Sequence, residues 1–463
     1  MLADRSLWIG CTLAVLVGAG LQLFFLDRGF LSISWDEAGR TLDAYRWAEH
    51  GTVTGWAWLP FYRVIVGLAL RNFPDLIVTP RIISGLFGLA AIPAMGWLAH
   101  ELFEDRRKTL VTLALGALFS QRLALSVAPA SAIMFIVFVI CGLALFAQWL
   151  RTGRSSALYA CAGSVAIAGT ERFEGWLFGA AILLAAWLHP PRPNFKRLLP
   201  FVLVLFIFPV GMLSYYVFIS YNPFAETVRD ALQYSLPQIL RKNPLSDFVI
   251  SNSLCLNLAG LAGVIQLIRR GESHYGYFAT AAFVPLAVIS IGLLLARSAQ
   301  TGPSWRLVAI WSMLLLPFTA HFLIGLAQWR PSGRLLAAGA IAIFCTAFLR
   351  DAFRIERESS WAFPESDRAA GAYIKGVLEN NPDTRIQIES SQYFYLNVLV
   401  ASQHPDAFIL SSAPDIGNHR ASLFMFQTPE STKYLARQTI LTPIRRFGPW
   451  SLYCVRETKC PGQ

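Results

Sequence analysis

Charged residues are scarce in this chain of 463 residues. Asp, Glu, Lys and Arg make up 14% of it, against about 25% in a typical soluble protein. Hydrophobic residues make up 55%. This balance excludes an intrinsically disordered chain, which needs low hydrophobicity and high charge, and it excludes an ordinary water-soluble enzyme.

The short motifs of most soluble enzyme classes are also missing. The sequence contains no P-loop, GxGxxG, GxSxG, HExxH or CxxC pattern, which removes the usual nucleotide, hydrolase, zinc-protease and redox sites. Its seven histidines follow no metal-ligand spacing. Basic residues exceed acidic ones by 11, but they form no basic stripe, RNA-binding motif or zinc finger, so no nucleic-acid partner is predicted.

Long apolar runs are what the sequence does have. A helix needs about 20 apolar residues to cross about 30 Å of hydrocarbon, and eleven segments approach that length. They predict a polytopic α-helical membrane protein with spans at 7–26, 81–102, 109–126, 128–150, 155–170, 173–189, 198–220, 245–268, 276–297, 306–327 and 335–350.

The positions of the basic residues predict how these spans are oriented in the membrane. With a cytoplasmic N-terminus, five short connections on the inner side hold twelve Lys or Arg, as the positive-inside rule requires. The loop 27–80 then lies outside, where five Arg balance six acids. We therefore predict a multi-pass protein of a bacterial inner or cell membrane.

The outer loop 27–80 is predicted to carry two helices at the membrane surface. Asp36 to His50 is the first. The second, Trp56 to Phe73, mixes Arg63 and Arg71 with aromatic residues, as interfacial amphipathic helices do. Counting this second helix as a span would reverse the charge pattern downstream.

The composition changes toward the C-terminus. About a fifth of residues 357–463 are charged, and their patterns predict short strands at 384–388 and 451–455 and a helix at 367–379. We divide the chain into a transmembrane domain, 1–356, which includes the outer loop, and a small extracytoplasmic α/β domain.

Ser34-Trp35-Asp36-Glu37, in the outer loop, is the first candidate site. Two adjacent carboxylates at a membrane surface suit a general base and a group that orients it or holds a cation. The same residues also suit a helix start, because Ser34 followed by Glu37 is a capping box and Asp36 favours a helix N-terminus. Both interpretations stay open.

The segment Thr170 to Trp176, in an outer turn, is the second candidate site. It holds Glu171, Arg172 and Glu174 between two spans, where ionisable side chains are costly unless they face a polar cavity or pair with one another. They form either a substrate site or an ion pair that marks the turn.

Arginines on the outer side form the third candidate. A guanidinium matches phosphate oxygens with two parallel hydrogen bonds, so these residues suit a lipid phosphate. Snorkelling of arginine to lipid headgroups predicts the same placement. The residues are Arg81, Arg122, Arg172, Arg297 and Arg306.

The order of these segments resembles one family. The acidic motif of the first outer loop is followed by Trp58-Leu59-Pro60-Phe61-Tyr62 and then by Pro80 to Gly88 at the start of a span. Leu98 to Phe103 precedes a basic turn, and Thr170 to Trp176 is similar to a T-R-Y-E-G-W pattern. Over residues 7–190 this arrangement resembles the GT-C superfamily of membrane glycosyltransferases, of the protein O-mannosyltransferase and aminoarabinose transferase type.

The resemblance implies a transferase that takes a sugar from a polyprenyl-phosphate donor. The acceptor is a hydroxyl or phosphate of a glycan, lipid or protein on the outer face. The implied catalytic pair is Asp36, as the base, with Glu37 beside it. A base plus arginines suits a single displacement with inversion. The substrate-binding candidates are Tyr62, Arg81, Arg172, Glu174 and Arg306.

Two positions depart from the family pattern. Ala128-Pro129-Ala130 stands where many relatives carry an acid in R-P-D, and Trp58 replaces the His of an H-P-P motif. A divalent cation, Mg or Mn, would therefore need Glu171 or Glu174 as its second carboxylate.

Two other classes stay open. A secondary transporter, or a lipid or glycan flippase, would place its site near the bilayer midplane on broken helices, whereas the acids here lie at outer turns. A non-catalytic membrane scaffold agrees with the spans equally well. Turnover of a polyprenyl-phosphate sugar separates these classes.

Overall fold

The computed structural model describes residues 4–34, 36–51, 59–190, 195–218, 254–269, 271, 273–295, 305–329, 331–390, 394–411, 421–427 and 441–455. They form two compact units. The first comprises Met1–Gly29, Gly55–Tyr62 and Ser84–Arg354, and the second comprises Phe30–Thr54, Arg63–Ile83 and Ile355–Gln463.

Helices make up the structure as far as residue 358. In chain order they are α1 (Arg5–Asp27), α2 (Asp36–His50), α3 (Pro60–Asn72), α4 (Val78–Phe103), α5 (Arg106–Leu118), α6 (Ser120–Val127), α7 (Ser131–Thr152), α8 (Ser155–Glu171), α9 (Glu174–Leu188), α10 (Phe195–Phe218), α11 (Leu254–Arg269), α12 (Ser273–Leu295), α13 (Trp305–Trp329) and α14 (Pro331–Glu358).

Local sequence explains several of the helix ends. Asp105 accepts hydrogen bonds from the backbone N–H groups of Arg107 and Lys108 and so caps the start of α5. Gly153 ends α7 at a φ of +67°, a left-handed conformation that glycine adopts without strain.

Each predicted span falls on one of these helices over its described part, and 109–126 is shared by α5 and α6. Among the described residues, five helices are long and apolar enough to cross a membrane, or six with the bent α5–α6 pair. Shorter apolar helices accompany them. The protein is therefore an integral membrane protein, and the count of eleven spans stays a prediction.

The stretch Trp56 to Phe73 contains α3, which has 13 residues. At about 1.5 Å per residue this helix is about 20 Å long, which is shorter than the hydrocarbon core. Among the described residues, α3 is not one of the helices long and apolar enough to cross a membrane. Its position in the membrane interface stays a prediction, and residues 52–58 lie outside the described part.

The span predicted at 109–126 is broken rather than continuous. The axes of α5 and α6 differ by 51° at Phe119, whose backbone is extended. The fully buried guanidinium of Arg122 donates to the carbonyl of Ala117 at the end of α5 (2.9 Å), which offsets a helical hydrogen bond lost at the break, and to the carbonyl of Gly88 in α4 (3.1 Å). Arg122 thus joins helices and does not reach lipid headgroups.

In the second unit, α2 packs closely against α3. Eight of the fifteen residues of α2 are buried, and the position of this helix at the membrane surface stays a prediction. Asp43 and Arg63 form an ion pair of 2.6 Å in which each side chain is 6% exposed. A Cβ at Gly67 would lie 2.9 Å from the Ala44 carbonyl oxygen, so glycine permits this close approach.

The C-terminal residues of the second unit form the predicted small α/β fold. Its helices are α15 (Glu365–Asn380) and α16 (Tyr395–Ser402), with 3-10 turns at Ser360–Ala362 and Pro405–Ala407. Its strands are β1 (Ile386–Glu389), β2 (Phe408–Ser411), β3 (Leu423–Phe426), β4 (Leu441–Phe447) and β5 (Trp450–Val455), in the sheet order β2-β1-β3-β5-β4.

The sheet is mixed. β1 pairs in parallel with β2 and β3, whereas β5 pairs antiparallel with β3 and β4. The predicted helix 367–379 falls on α15, and the predicted strands fall on β1 and β5.

Asp367 is one of the buried acids of this core. It accepts hydrogen bonds from Trp450 Nε1 (2.8 Å) and Asn397 Nδ2 (2.9 Å). Burial raises the pKa of Asp367, and these hydrogen bonds oppose that shift only in part.

Candidate functional site

The acidic turn, made of residues 31–34 with Asp36 and Glu37, is organised by one carboxylate. Glu37 accepts hydrogen bonds from Ser32 Oγ (2.5 Å), Ile33 N (3.0 Å), Ser34 N (2.7 Å) and Ser34 Oγ (3.1 Å). It is 1% exposed. The bond from Ser34 N is the backbone half of the capping box that the sequence indicates. Ser32 and Ile33 extend this arrangement beyond the sequence motif.

Asp36 has a different environment from its neighbour. It is the first residue of α2 and is partly exposed, whereas Glu37 is buried. The partial positive charge of a helix N-terminus favours a carboxylate at this position. The two adjacent acids thus differ in burial. This difference suits a structural role for the buried acid and a chemical role for the partly exposed one.

Arg81, the fourth residue of α4, contacts the acidic turn from another helix. Its Nε and Nη2 both donate to the Leu31 carbonyl, at 3.0 and 2.6 Å, and its Nη1 donates to the Ile77 carbonyl at 2.5 Å. The side chain is buried, and its guanidinium carbon lies 5.7 Å from the centre of the Phe363 ring. The sequence placed Arg81 among the phosphate candidates and did not indicate these backbone contacts.

The C-terminal half of α2 makes hydrogen bonds with Asp406, a residue of the C-terminal α/β region. Tyr45 Oη donates to Asp406 Oδ2 at 2.9 Å, and His50 Nε2 lies 3.3 Å from the same oxygen. Burial, followed by the hydrogen bond to Asp406, raises the pKa of Tyr45. Tyr45 and Asp406 are 361 positions apart, so no local pattern could have indicated this contact.

Arg172 and Glu174 form an ion pair where α8 ends and α9 begins. Arg172 Nη2 lies 2.6 Å from Glu174 Oε1, and about a fifth of each side chain is exposed. A Cβ at Gly175 would lie 2.5 Å from the backbone N of Gly169, so glycine lets the two helices meet closely here. The ion pair that the sequence offered as one alternative is present.

Tyr62 is a residue of α3 that contacts the segment between α6 and α7. Its hydroxyl donates to the Pro129 carbonyl at 3.0 Å, and the side chain is 2% exposed. Pro129 belongs to the tripeptide that departs from the family pattern. Arg306 is the second residue of α13, and its side chain lies outside the described residues.

The site candidates therefore fall into two groups. Asp36, Glu37 and Arg81 belong to the second unit, where Glu37 and Arg81 hold the same turn. Tyr62 and the Arg172–Glu174 pair belong to the first. Within the described part of the chain, no group of three or more His, Cys, Asp or Glu is placed to hold a metal ion.

Comparison with known proteins gives no match by sequence and clear matches by structure. The sequence matches no family model and no curated protein. ArnT from Cupriavidus metallidurans bound to undecaprenyl phosphate matches with a TM-score of 0.66 at 14% identity, over 97% of this chain and 98% of that chain. The apo state of that ArnT matches with a TM-score of 0.65 at 13% identity, over 98% of each chain.

A second, more distant protein matches as well. The oligosaccharyltransferase AglB from Archaeoglobus fulgidus, in complex with an inhibitory peptide and a dolichol-phosphate, has a TM-score of 0.54 at 10% identity. The match covers 91% of this chain and 69% of that chain. ArnT is an aminoarabinose transferase, and both proteins are GT-C superfamily members. This chain has the GT-C fold.

The GT-C fold extends well beyond the region that the motifs covered. The sequence motifs supported the resemblance over residues 7–190, whereas the structural match to ArnT covers 97% of this chain. The C-terminal α/β residues therefore belong to the same fold. At 14% identity this likeness shows the fold alone.

Proposed function

We propose that this GT-C-fold protein is a glycosyltransferase. It takes a sugar from a polyprenyl-phosphate donor and transfers it to a hydroxyl or phosphate of a glycan, lipid or protein acceptor on the outer face of the membrane. The observation that carries the proposal is the match, over nearly the whole chain, to an ArnT structure bound to undecaprenyl phosphate. The acidic turn supports it, because its single buried acid holds a second, partly exposed one in place.

Asp36 is the general base in this proposal. Glycosyl transfer requires a group that removes the proton from the acceptor as the new bond forms. Asp36 is partly exposed, so an acceptor can approach it, and the carboxylate of Glu37 is already engaged by four hydrogen-bond donors. Glu37 therefore orients the turn, while Asp36 performs the chemistry.

Arg172 and Arg306 hold the donor phosphate in this proposal. The departing polyprenyl phosphate gains charge in the transition state, and fixed guanidinium groups stabilise that charge. Arg172 Nε and Nη2 donate to Glu174, and because this pair is partly exposed, the donor phosphate replaces Glu174 at that edge of the guanidinium. One base and these arginines suffice for a single displacement with inversion.

Turnover by purified protein tests the proposal. The protein in lipid nanodiscs is incubated with a panel of radiolabelled undecaprenyl-phosphate pentoses and hexoses and with an envelope extract as acceptor. Asp36→Asn keeps the side-chain size and some capping ability, so it should fold normally while the rate falls about 10²- to 10⁴-fold. Transfer of label by the wild-type protein excludes the transporter, flippase and scaffold alternatives.

The matched control is Asp105→Asn. Asp105 also caps a helix, since it accepts hydrogen bonds from Arg107 N and Lys108 N, but it lies at the predicted inner face. Its substitution should leave turnover unchanged. Near-normal turnover by folded Asp36→Asn protein would refute Asp36 as the base.

Arg172→Lys tests the phosphate assignment. Lysine keeps the charge but loses the bidentate fork, so the KM for the donor should rise. The control is Arg151→Lys, because Arg151 pairs with Glu101 at 2.5 Å in the same way but at the predicted inner end of α7. An unchanged donor KM in Arg172→Lys would mean that the Arg172–Glu174 pair only marks the turn.

A further inference from the structure

We propose that Arg81 is a positioning residue for Asp36 and does not bind the donor phosphate. It fixes the backbone of the acidic turn to α4, and so sets where the base at the start of α2 stands. This inference rests on the proposed function for its catalytic meaning. Its structural part can be tested without turnover.

The orientation of the guanidinium is the first argument. The Nε and Nη2 edge of arginine is the fork that binds a phosphate or carboxylate with two parallel hydrogen bonds. In Arg81 both of these atoms donate to the Leu31 carbonyl, at 3.0 and 2.6 Å. A phosphate could use this edge only by releasing Leu31, which would leave that carbonyl without its donors.

The surroundings of Arg81 also indicate a structural role. Nη1 donates to the Ile77 carbonyl, four residues earlier and just before the start of α4, and the Phe363 ring lies 5.7 Å from the guanidinium carbon. The residue is 7% exposed. A buried charge is stabilised when backbone carbonyls and an aromatic face surround it. Such surroundings suit a fixed structural charge better than one that takes up and releases a substrate.

The link to the base runs through a short stretch of backbone. Leu31, held by Arg81, is followed directly by Ser32, whose hydroxyl donates to Glu37 at 2.5 Å. Ile33 N and Ser34 N donate to the same carboxylate. Arg81 thus fixes one end of the acidic turn and Glu37 fixes the middle. Without Arg81 the turn keeps its internal hydrogen bonds and loses its attachment to α4.

Three variants test the inference in nanodiscs. Arg81→Gln removes the paired donation to Leu31, and Arg81→Lys keeps the charge with a less suitable geometry. The control is Arg71→Gln, because Arg71 also donates to a backbone carbonyl, that of Ala48 at 3.2 Å, and lies 5.0 Å from an aromatic ring. Its contacts are with the far end of α2 and not with the acidic turn.

Amide hydrogen exchange of residues 31–34 is the first measurement. Arg81→Gln should speed exchange there, Arg81→Lys should have a smaller effect, and Arg71→Gln should have none. The second measurement is binding of undecaprenyl phosphate, which should be the same in all three variants and the wild type. The third is turnover, where Arg81→Gln should lower kcat about 100-fold, as misplacement by about 1 Å can, with the donor KM unchanged.

Two results would overturn the inference. Weaker binding of undecaprenyl phosphate by Arg81→Gln, with unaltered exchange at residues 31–34, would make Arg81 a phosphate ligand. Unaltered exchange together with unaltered kcat would remove any positioning role. If the wild-type protein turns over no donor, the proposed glycosyltransferase function fails, while the exchange measurement still decides whether Arg81 fixes the turn.

Discussion

Replacing Glu37 should loosen the acidic turn by an amount that the hydrogen bonds themselves indicate. Its carboxylate is 1% exposed and accepts from two backbone amides and two hydroxyls. In Glu37→Ala the hydroxyls can turn to other acceptors. Ser32 Oγ already has one in the Ser34 carbonyl at 2.8 Å. The backbone amides of Ile33 and Ser34 cannot reorient, so the loss of stability comes from these two unsatisfied donors.

An unsatisfied buried donor destabilises by about 1–3 kcal/mol. The two amides of Ile33 and Ser34 therefore predict a local loss of about 2–6 kcal/mol in Glu37→Ala. At about 1.4 kcal/mol per factor of ten, this corresponds to exchange faster by about 30-fold to 10⁴-fold. Glu37→Gln keeps an oxygen that accepts from the amides but loses the charge, so its loss should be only about 1–2 kcal/mol.

Amide exchange of Ile33 and Ser34 in nanodiscs measures this loss directly. The matched control is Glu49→Gln, which changes an exposed acid of the same helix and should alter local stability by less than about 0.5 kcal/mol. The turnover rate should fall together with the protection of these amides from exchange, because Asp36 is part of the loosened turn. Wild-type exchange rates in Glu37→Ala would refute the view that this carboxylate holds the turn.

Three further predictions concern other parts of the chain. Tyr62→Phe removes the donor to the Pro129 carbonyl and should lower stability by about 1 kcal/mol in thermal unfolding; an unchanged melting temperature would contradict it. Because burial raises the pKa of Asp367, the wild type should gain stability relative to Asp367→Asn as the pH falls from neutral through that raised pKa, and the gain should level off near the unfolded value of about 4. An equal pH slope in both proteins would show that Asp367 does not titrate in this range. A phosphatase fused after Gln463 should be active in cells and one fused after Arg107 inactive, and the reverse result would place the acidic turn on the inner face.

The apolar helices were predictable because hydropathy is a local property. About twenty apolar residues form a helix in a membrane whatever their neighbours are, and the predicted segments fall on helices over their described parts. The break at Phe119 was missed, since no Pro marks it and the nearest glycine, Gly116, lies within α5. The run Ser120-Gln121-Arg122 was the available signal, because three polar residues in an apolar segment need partners that a straight span does not supply.

The candidate site was predictable only where its contacts are short in sequence. Ser34 and Glu37 are three positions apart, and Arg172 and Glu174 two, so a capping box and a local ion pair could be recognised from spacing alone. The paired donation of Arg81 to Leu31 spans 50 positions, and that of Tyr62 to Pro129 spans 67. No local pattern carries such contacts.

The sequence by itself determined the membrane class, the helices and the nature of the acidic turn. These follow from hydropathy and capping, which act over a few residues. Tertiary structure decided the partners of these charges: Arg122 is a buried link between helices, Asp43 pairs with Arg63, and Arg81 donates to the carbonyls of Leu31 and Ile77. The physical reason is that a charged side chain removed from water takes whichever partner packing brings within hydrogen-bonding distance, and only the folded chain defines that partner.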